Sequence, residues 1–68
     1  MDMPSSLIKH FHYDTNRQIL EIAFVAGPVY EYQQVPQELY EQMKSAFAKG
    51  VFFNNYIRDK FPFQKKNG

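Results

Sequence analysis

The first half of the chain alternates apolar and polar residues over three short segments, residues 5–13, 19–24 and 29–34. Alternation at period two is typical of β-strands that have one buried face. The segments are separated by residues 14–17 (DTNR) and 26–28 (AGP), and both separators are rich in residues that favour turns. Because these connections are short, the pattern predicts an antiparallel meander of three strands.

One face of this predicted sheet is strongly apolar. It carries Leu20, Ile22 and Phe24 from the second segment and Tyr30 and Tyr32 from the third. The two tyrosines either complete a core or offer their rings to a ligand. The small size of the chain favours the core, because a domain of 68 residues needs its aromatic area for stability. The first segment is less regular, and we expect a β-bulge in it.

After Val35 the apolar residues recur at the spacing of a helix. Pro36 suits the start of this helix, and Gly50 fits the left-handed position that ends one. We expect a second short helix over residues 51–60, which Pro62 prevents from continuing. The apolar stripe of the first helix, over residues 36–49, consists of Leu39, Tyr40, Met43, Ala46 and Phe47.

The pattern therefore predicts an α+β fold, in which a three-stranded antiparallel β-meander is followed by two short helices packed on one sheet face. We expect a single domain over residues 5–63, a flexible N-terminal arm over residues 1–4 and a disordered basic tail over residues 64–68. The chain has no cysteine, which suits the reducing cytoplasm. It has no apolar run of membrane-spanning length, so we expect no membrane contact.

The charge is distributed unevenly, although the whole chain has a net charge of only +1. Residues 1–43 carry a net charge of −4 and residues 44–68 one of +5, and six of the aromatic residues lie in the basic part. Cations attract phosphates and aromatic rings stack on unpaired bases, so this part of the chain is a candidate RNA-binding surface. The alternative is the ordinary solvated surface of two helices. The candidate RNA contacts are Lys44, Lys49, Arg58, Lys60, Tyr56 and Phe52.

Other chemistry has little support in the sequence. His10, His12 and Asp14 share one side of the first segment, but Asp14 suits the following turn and two imidazoles alone are a poor metal site. There is no catalytic serine or cysteine motif and no glycine-rich phosphate loop. We therefore expect no metal, no cofactor, no catalytic residue and no small-molecule substrate.

These features together resemble the KTSC domain, a short module found at the C-terminus of some lysyl-tRNA synthetases and as small stand-alone bacterial proteins. The resemblance implies an α+β fold, and its synthetase context suggests RNA, although the function of the family is not established. One departure is Ala48, where the family often has serine. The matching positions are Ser5-Ser6, Tyr13-Asp14, Leu20, Ile22, Phe24, Gly27, Tyr30, Tyr32, Val35-Pro36, Ala46, Gly50, Phe53-Asn54 and Ile57-Arg58.

Two hypotheses follow for a small, non-enzymatic, cytoplasmic binding module. The first is weak RNA binding through the basic and aromatic C-terminal half. The second is a protein-interaction module or self-associating dimer that uses an open sheet edge or an apolar patch. Exposed aromatic rings surrounded by Lys and Arg would favour RNA, whereas an apolar patch without cations would favour a protein partner.

Overall fold

The computed structural model describes residues 7–66, so the predicted arm at residues 1–4 lies outside the described residues. The fold is α+β, with the four strands joined in chain order as one antiparallel sheet. Within residues 7–66 no helix is long and apolar enough to cross a membrane. The elements are β1 (Ile8–Asp14), β2 (Ile19–Phe24), β3 (Val29–Tyr32), α1 (Gln37–Ser45), α2 (Lys49–Tyr56) and β4 (Phe63–Lys66).

The prediction of three strands is wrong, because residues 63–66 add a fourth. Strand β4 pairs antiparallel with β3, with Tyr32 opposite Phe63 and Val29 opposite Lys66. The expected disorder of residues 64–68 is therefore wrong for residues 64–66, while residues 67 and 68 lie outside the described part. The physical reason is that β3 would otherwise leave a row of unpaired backbone groups at the sheet edge.

The predicted meander of β1, β2 and β3 is confirmed. Leu20 lies opposite Tyr32 and Ile22 opposite Tyr30, which is the in-register pairing that places both tyrosines on the apolar face. The expected bulge in β1 is also confirmed, since the register with β2 shifts between Ile8 and residue 10. The bulge lets β1 present its later aromatic residues to the same face as the other strands.

The core lies between this sheet face and the two helices. Met43 enters it from α1, and Phe53 and Ile57 enter it from α2 and the residue that follows. Each large apolar side chain that is fully buried contributes about 1.5–3 kcal/mol relative to an exposed one. The buried residues of the core cluster are Tyr13, Leu20, Ile22, Tyr32, Val35, Met43, Phe53 and Ile57.

The junction of the helices differs from the prediction. Helix α1 ends at Ser45, because Ala46 takes an extended backbone conformation (ψ 140°). The chain therefore leaves the helical path before Phe47, which is fully exposed instead of joining the apolar stripe. Gly50 does not end a helix with a left-handed backbone either. It is buried in the first turn of α2, and the glycine with positive φ in the described residues is Gly27 (φ 121°).

Candidate nucleic-acid interface

Helix α2 has two exposed sides, which are separated by its buried residues. Phe53 and Ile57, four positions apart, point into the core. By helical periodicity, Lys49, Phe52 and Tyr56 lie along one side of this buried line, at successive turns of the helix. The rings of Phe52 and Tyr56 are in contact, with centroids 4.7 Å apart. This side therefore combines aromatic area with a cation at its N-terminal end.

Phe47 extends this surface into the connection between the helices. Its side chain is 97% exposed, although a phenylalanine in a small domain is usually drawn into the core. Lys44 lies before it in the last turn of α1, and Lys49 follows it in the first turn of α2. We refer to Lys44, Phe47, Lys49, Phe52 and Tyr56 as the junction surface.

The two lysines of the junction surface are held by local contacts. The Lys44 Nζ lies 3.6 Å from a carboxylate oxygen of Glu41 and 5.4 Å from the centroid of the Tyr40 ring. The Lys49 Nζ donates a 2.9 Å hydrogen bond to the Ala46 carbonyl. Both ammonium groups are thus positioned by residues close in sequence, and each has donor capacity left for a phosphate.

Arg58 does not lie on this surface. It lies two residues beyond the end of α2, and its Nη1 donates a 3.1 Å hydrogen bond to the Oδ1 of Asn54 in α2. Its side chain borders a separate cleft of about 200 Å³, which is lined mainly by aromatic and apolar side chains of β2, β3 and α2. Lys60 is exposed in the turn that follows α2. The six residues proposed from the sequence therefore do not form one patch.

Sequence reasoning missed Phe47 because it continues the spacing of the apolar stripe. A signal for its exposure was present in the residues before it. Lys44 is a basic residue of the kind that favours the negative C-terminal end of a helix, and the weak helix former Ser45 follows it. Together they mark the end of α1 two residues before Phe47.

The tyrosines of β3 do not form an open stacking platform. Tyr32 is only 2% exposed, and burial raises its pKa to about 12, with the nearby positive charge of Arg58 opposing part of the effect. Tyr30 is partly buried, and its ring is stacked on Phe63 (centroids 5.4 Å apart) and packed edge-to-face against Phe24 (5.5 Å). The tyrosine rings therefore pack against other aromatic rings of the protein, in agreement with the interpretation that they complete the core.

The sheet face opposite the helices is polar. The Lys66 Nζ lies 2.7 Å from the Glu21 Oε2, and this hydrogen bond raises the pKa of Lys66. The contact spans β3 and links β4 to β2. His10 and His12 are exposed on β1, and residues 7–66 contain no group of three or more side chains placed to hold a metal ion.

Comparisons with known proteins agree on one family of relatives. The family model described as "KTSC domain" matches residues 4–61. The chain is 43% identical over 60 residues to a lysine–tRNA ligase of Nostoc punctiforme, a match that covers 88% of this chain and 11% of the ligase. It is 35% identical over 57 residues to a small protein of Tsukamurella paurometabola, covering 84% of this chain and 85% of that protein.

A solved structure shows the same fold. The crystal structure of a KTSC domain protein from Yersinia pestis matches with a TM-score of 0.79 and 36% sequence identity, over 84% of this chain and 80% of that one. The chain thus spans only about a tenth of the length of the ligases that it matches, but most of the length of the small relatives.

Proposed function

The chain belongs to the KTSC domain family, and we propose that it is a non-enzymatic cytoplasmic module that binds single-stranded RNA weakly through the junction surface. The single observation that carries this proposal is Phe47, a 97% exposed aromatic ring placed between Lys44 and Lys49. A ring that protrudes in this way gains little for the fold of the free protein and is available to a partner.

The chemistry of the junction surface suits an unpaired nucleic-acid strand. Stacking of a base on an aromatic ring contributes about 1–3 kcal/mol and tolerates any base. The lysines on either side of Phe47 supply salt-dependent attraction to the phosphates. Phe52 and Tyr56 continue the aromatic surface along α2. With few cations, the binding is expected to be weak and without sequence preference.

The relatives support an RNA context. Matching segments occur in proteins named lysine–tRNA ligase, which act on a tRNA. Since this chain corresponds to 11% of those enzymes, we do not carry their ligase activity over to it. An accessory RNA contact is the part of their function that a module of this size is able to perform alone.

The test is an NMR titration of the protein with a mixed-sequence single-stranded RNA, recorded at low and at moderate salt. We expect salt-sensitive shifts of the amides of residues 44–56. Phe47→Ser should weaken binding about 5- to 100-fold, since it removes one stacking ring, while leaving stability unchanged. Lys49→Gln should weaken binding and reduce its salt dependence. Lys9→Gln, which removes an exposed cation from β1, is the matched control and should leave binding unaltered.

Arg58 and Lys60 remain proposed phosphate contacts and are tested separately. If Arg58→Ala combined with Lys60→Ala leaves the RNA affinity unchanged, the RNA surface is confined to the junction. Absence of any RNA-induced shift at low salt would contradict RNA binding altogether.

The second candidate function is protein binding or self-association through exposed apolar side chains, namely Phe47 and Tyr56 of the junction surface together with Val51. An apolar contact of this kind is insensitive to salt, whereas a phosphate contact weakens as the salt concentration rises. Sedimentation of the protein over a range of concentrations distinguishes the two. Self-association that Phe47→Ser abolishes, without RNA binding, would favour this second function.

A further inference from the structure

A second surface lies on the other side of α2, at the cleft bordered by Arg58. The cleft is open to solvent, and its walls come from the ends of β2 and β3 and from α2. Phe24, Tyr30 and Phe53 line it together with Pro28, so most of its wall is apolar. Its volume of about 200 Å³ is below the roughly 300–1,000 Å³ typical of pockets for drug-sized ligands. The cleft is suited to one side chain.

Two polar groups meet in this apolar surrounding. Tyr32 is 98% enclosed, and its hydroxyl makes no hydrogen bond within residues 7–66. Since Tyr32 lines the cleft, its hydroxyl is a hydrogen-bonding group at the cleft that has no partner among residues 7–66.

Arg58 supplies the second polar group. Its guanidinium has five donors, and one of them is used by Asn54. No ion pair involves Arg58 within the described residues. It lies close enough to the Tyr32 hydroxyl for its positive charge to act on that group, more strongly than the negative charge of Asp59 does. The polar end of the cleft is therefore electropositive.

The chemistry of the occupant follows from these features. A guanidinium fork binds a carboxylate or a phosphate through two parallel hydrogen bonds, and the tyrosine hydroxyl adds a third. A nucleobase would bring several polar edge atoms into a cleft that offers them few partners, and each unpaired atom weakens binding. An apolar side chain needs no such partners. The cleft therefore favours an apolar side chain attached to a carboxylate.

A free amino acid would also bring an ammonium group towards the positive charge of Arg58. A terminal residue within a peptide lacks this group, because its nitrogen is part of an amide. We propose that the cleft binds the C-terminal residue of a peptide or protein, with its apolar side chain among the rings and its carboxylate on Arg58 and the Tyr32 hydroxyl.

The test uses the full chain and N-acetylated tetrapeptides that end in leucine or phenylalanine, each as the free acid and as the C-terminal amide. We expect the acids to shift the amides of Tyr30, Phe53 and Arg58 in NMR spectra. The amides should bind at least about tenfold more weakly, because they lack the charge that the guanidinium recognises. A free acid that ends in serine should also bind weakly, since it cannot fill the apolar part.

The variants locate the carboxylate. Arg58→Gln should weaken binding of the acid by the same factor as replacing the acid with the amide, and it should weaken binding of the amide little. Lys60→Gln, which neutralises a neighbouring cation, should leave both affinities unchanged. Tyr32→Phe should lower the affinity for the acid several-fold while keeping the ring in the core. Phe47→Ser should leave peptide binding intact, which separates this site from the junction surface.

Three results would overturn the proposal. The first is the absence of cleft shifts with every acid. The second is equal affinity for an acid and its amide, which would show that the carboxylate is not recognised. The third is that adenosine or uridine monophosphate shifts the cleft residues where the peptides do not, which would make the cleft a nucleotide subsite.

Discussion

The Tyr13 hydroxyl donates a 2.6 Å hydrogen bond to the Val35 carbonyl, 22 residues further along the chain. The Val35 amide in turn donates to the Gln18 carbonyl (2.9 Å). The Tyr13 ring is stacked on that of Tyr40 in α1, with centroids 4.6 Å apart. One tyrosine thereby joins the end of β1, the segment before α1 and α1 itself.

Tyr13→Phe should destabilise the domain by about 1–3 kcal/mol. The ring and its packing are kept, but the buried Val35 carbonyl loses its partner, and an unsatisfied buried acceptor carries its full desolvation cost. Urea unfolding, followed by circular dichroism, measures the change. Tyr56→Phe, at an exposed ring, is the control and should change stability by less than about 0.5 kcal/mol. Equal effects of the two substitutions would show that the hydrogen bond contributes nothing.

Ala48→Ser should stabilise the domain by about 0.5–2 kcal/mol. Ala48 occupies the N-cap position of α2 with an extended backbone (φ −112°, ψ 93°), and no side chain caps the first turn. A serine hydroxyl there can accept a hydrogen bond from the amide of Gly50 or Val51. Thermal or urea unfolding reports the gain. Ala46→Ser adds the same hydroxyl two residues earlier, outside the N-cap, and should not stabilise α2.

Phe63→Ala should destabilise the domain by about 1–3 kcal/mol, although the residue lies in a segment whose composition is that of a polar tail. Its ring packs on Tyr30 and Tyr32, with centroids 5.4 and 5.3 Å away, and this packing is lost in the variant. Lys65→Ala, in the same strand, should have little effect. If Phe63→Ala is as neutral as Lys65→Ala, β4 does not contribute to the stability of the fold.

The stability of the domain should fall above about pH 10, and Tyr32 should be one cause. Burial raises the pKa of Tyr32 from 10.0 to about 12, so the unfolded chain releases this proton first as the pH rises. The stability linked to Tyr32 is fully present below pH 10 and is lost as the pH passes through about 12. The loss is roughly 2–3 kcal/mol.

Urea unfolding at a series of alkaline pH values checks this expectation. Tyr32→Phe should have a flatter dependence on pH than the unchanged chain, with the remaining slope supplied in part by Tyr13, whose pKa burial also raises. Tyr56→Phe is the exposed control. Identical slopes for the unchanged chain and Tyr32→Phe would contradict the buried, protonated state of this hydroxyl.

Most strand pairings of the sheet can be predicted from the sequence, because in a meander each strand pairs with the next one along the chain. The period-two faces of β2 and β3 place Leu20 and Ile22 opposite Tyr32 and Tyr30, and short turns leave few other registers. The burial of Tyr32 also follows, since a domain this small needs its rings in the core. These features depend on residues that are close along the chain.

What the sequence by itself determined was thus the α+β class, the meander, the bulge and two helices whose core residues are Met43, Phe53 and Ile57. Tertiary structure decided three others, and for one of them the sequence carries only a weak signal. Phe63 joins a fourth strand because the β3 edge, distant in sequence, offers it a partner. Phe47 is exposed because Ala46 takes an extended backbone conformation and ends α1 at Ser45, an end that Lys44 and Ser45 indicate only weakly. Arg58 lies at the cleft, apart from the two lysines, because the core packing of Phe53 and Ile57 fixes how α2 and the residues after it face β2 and β3.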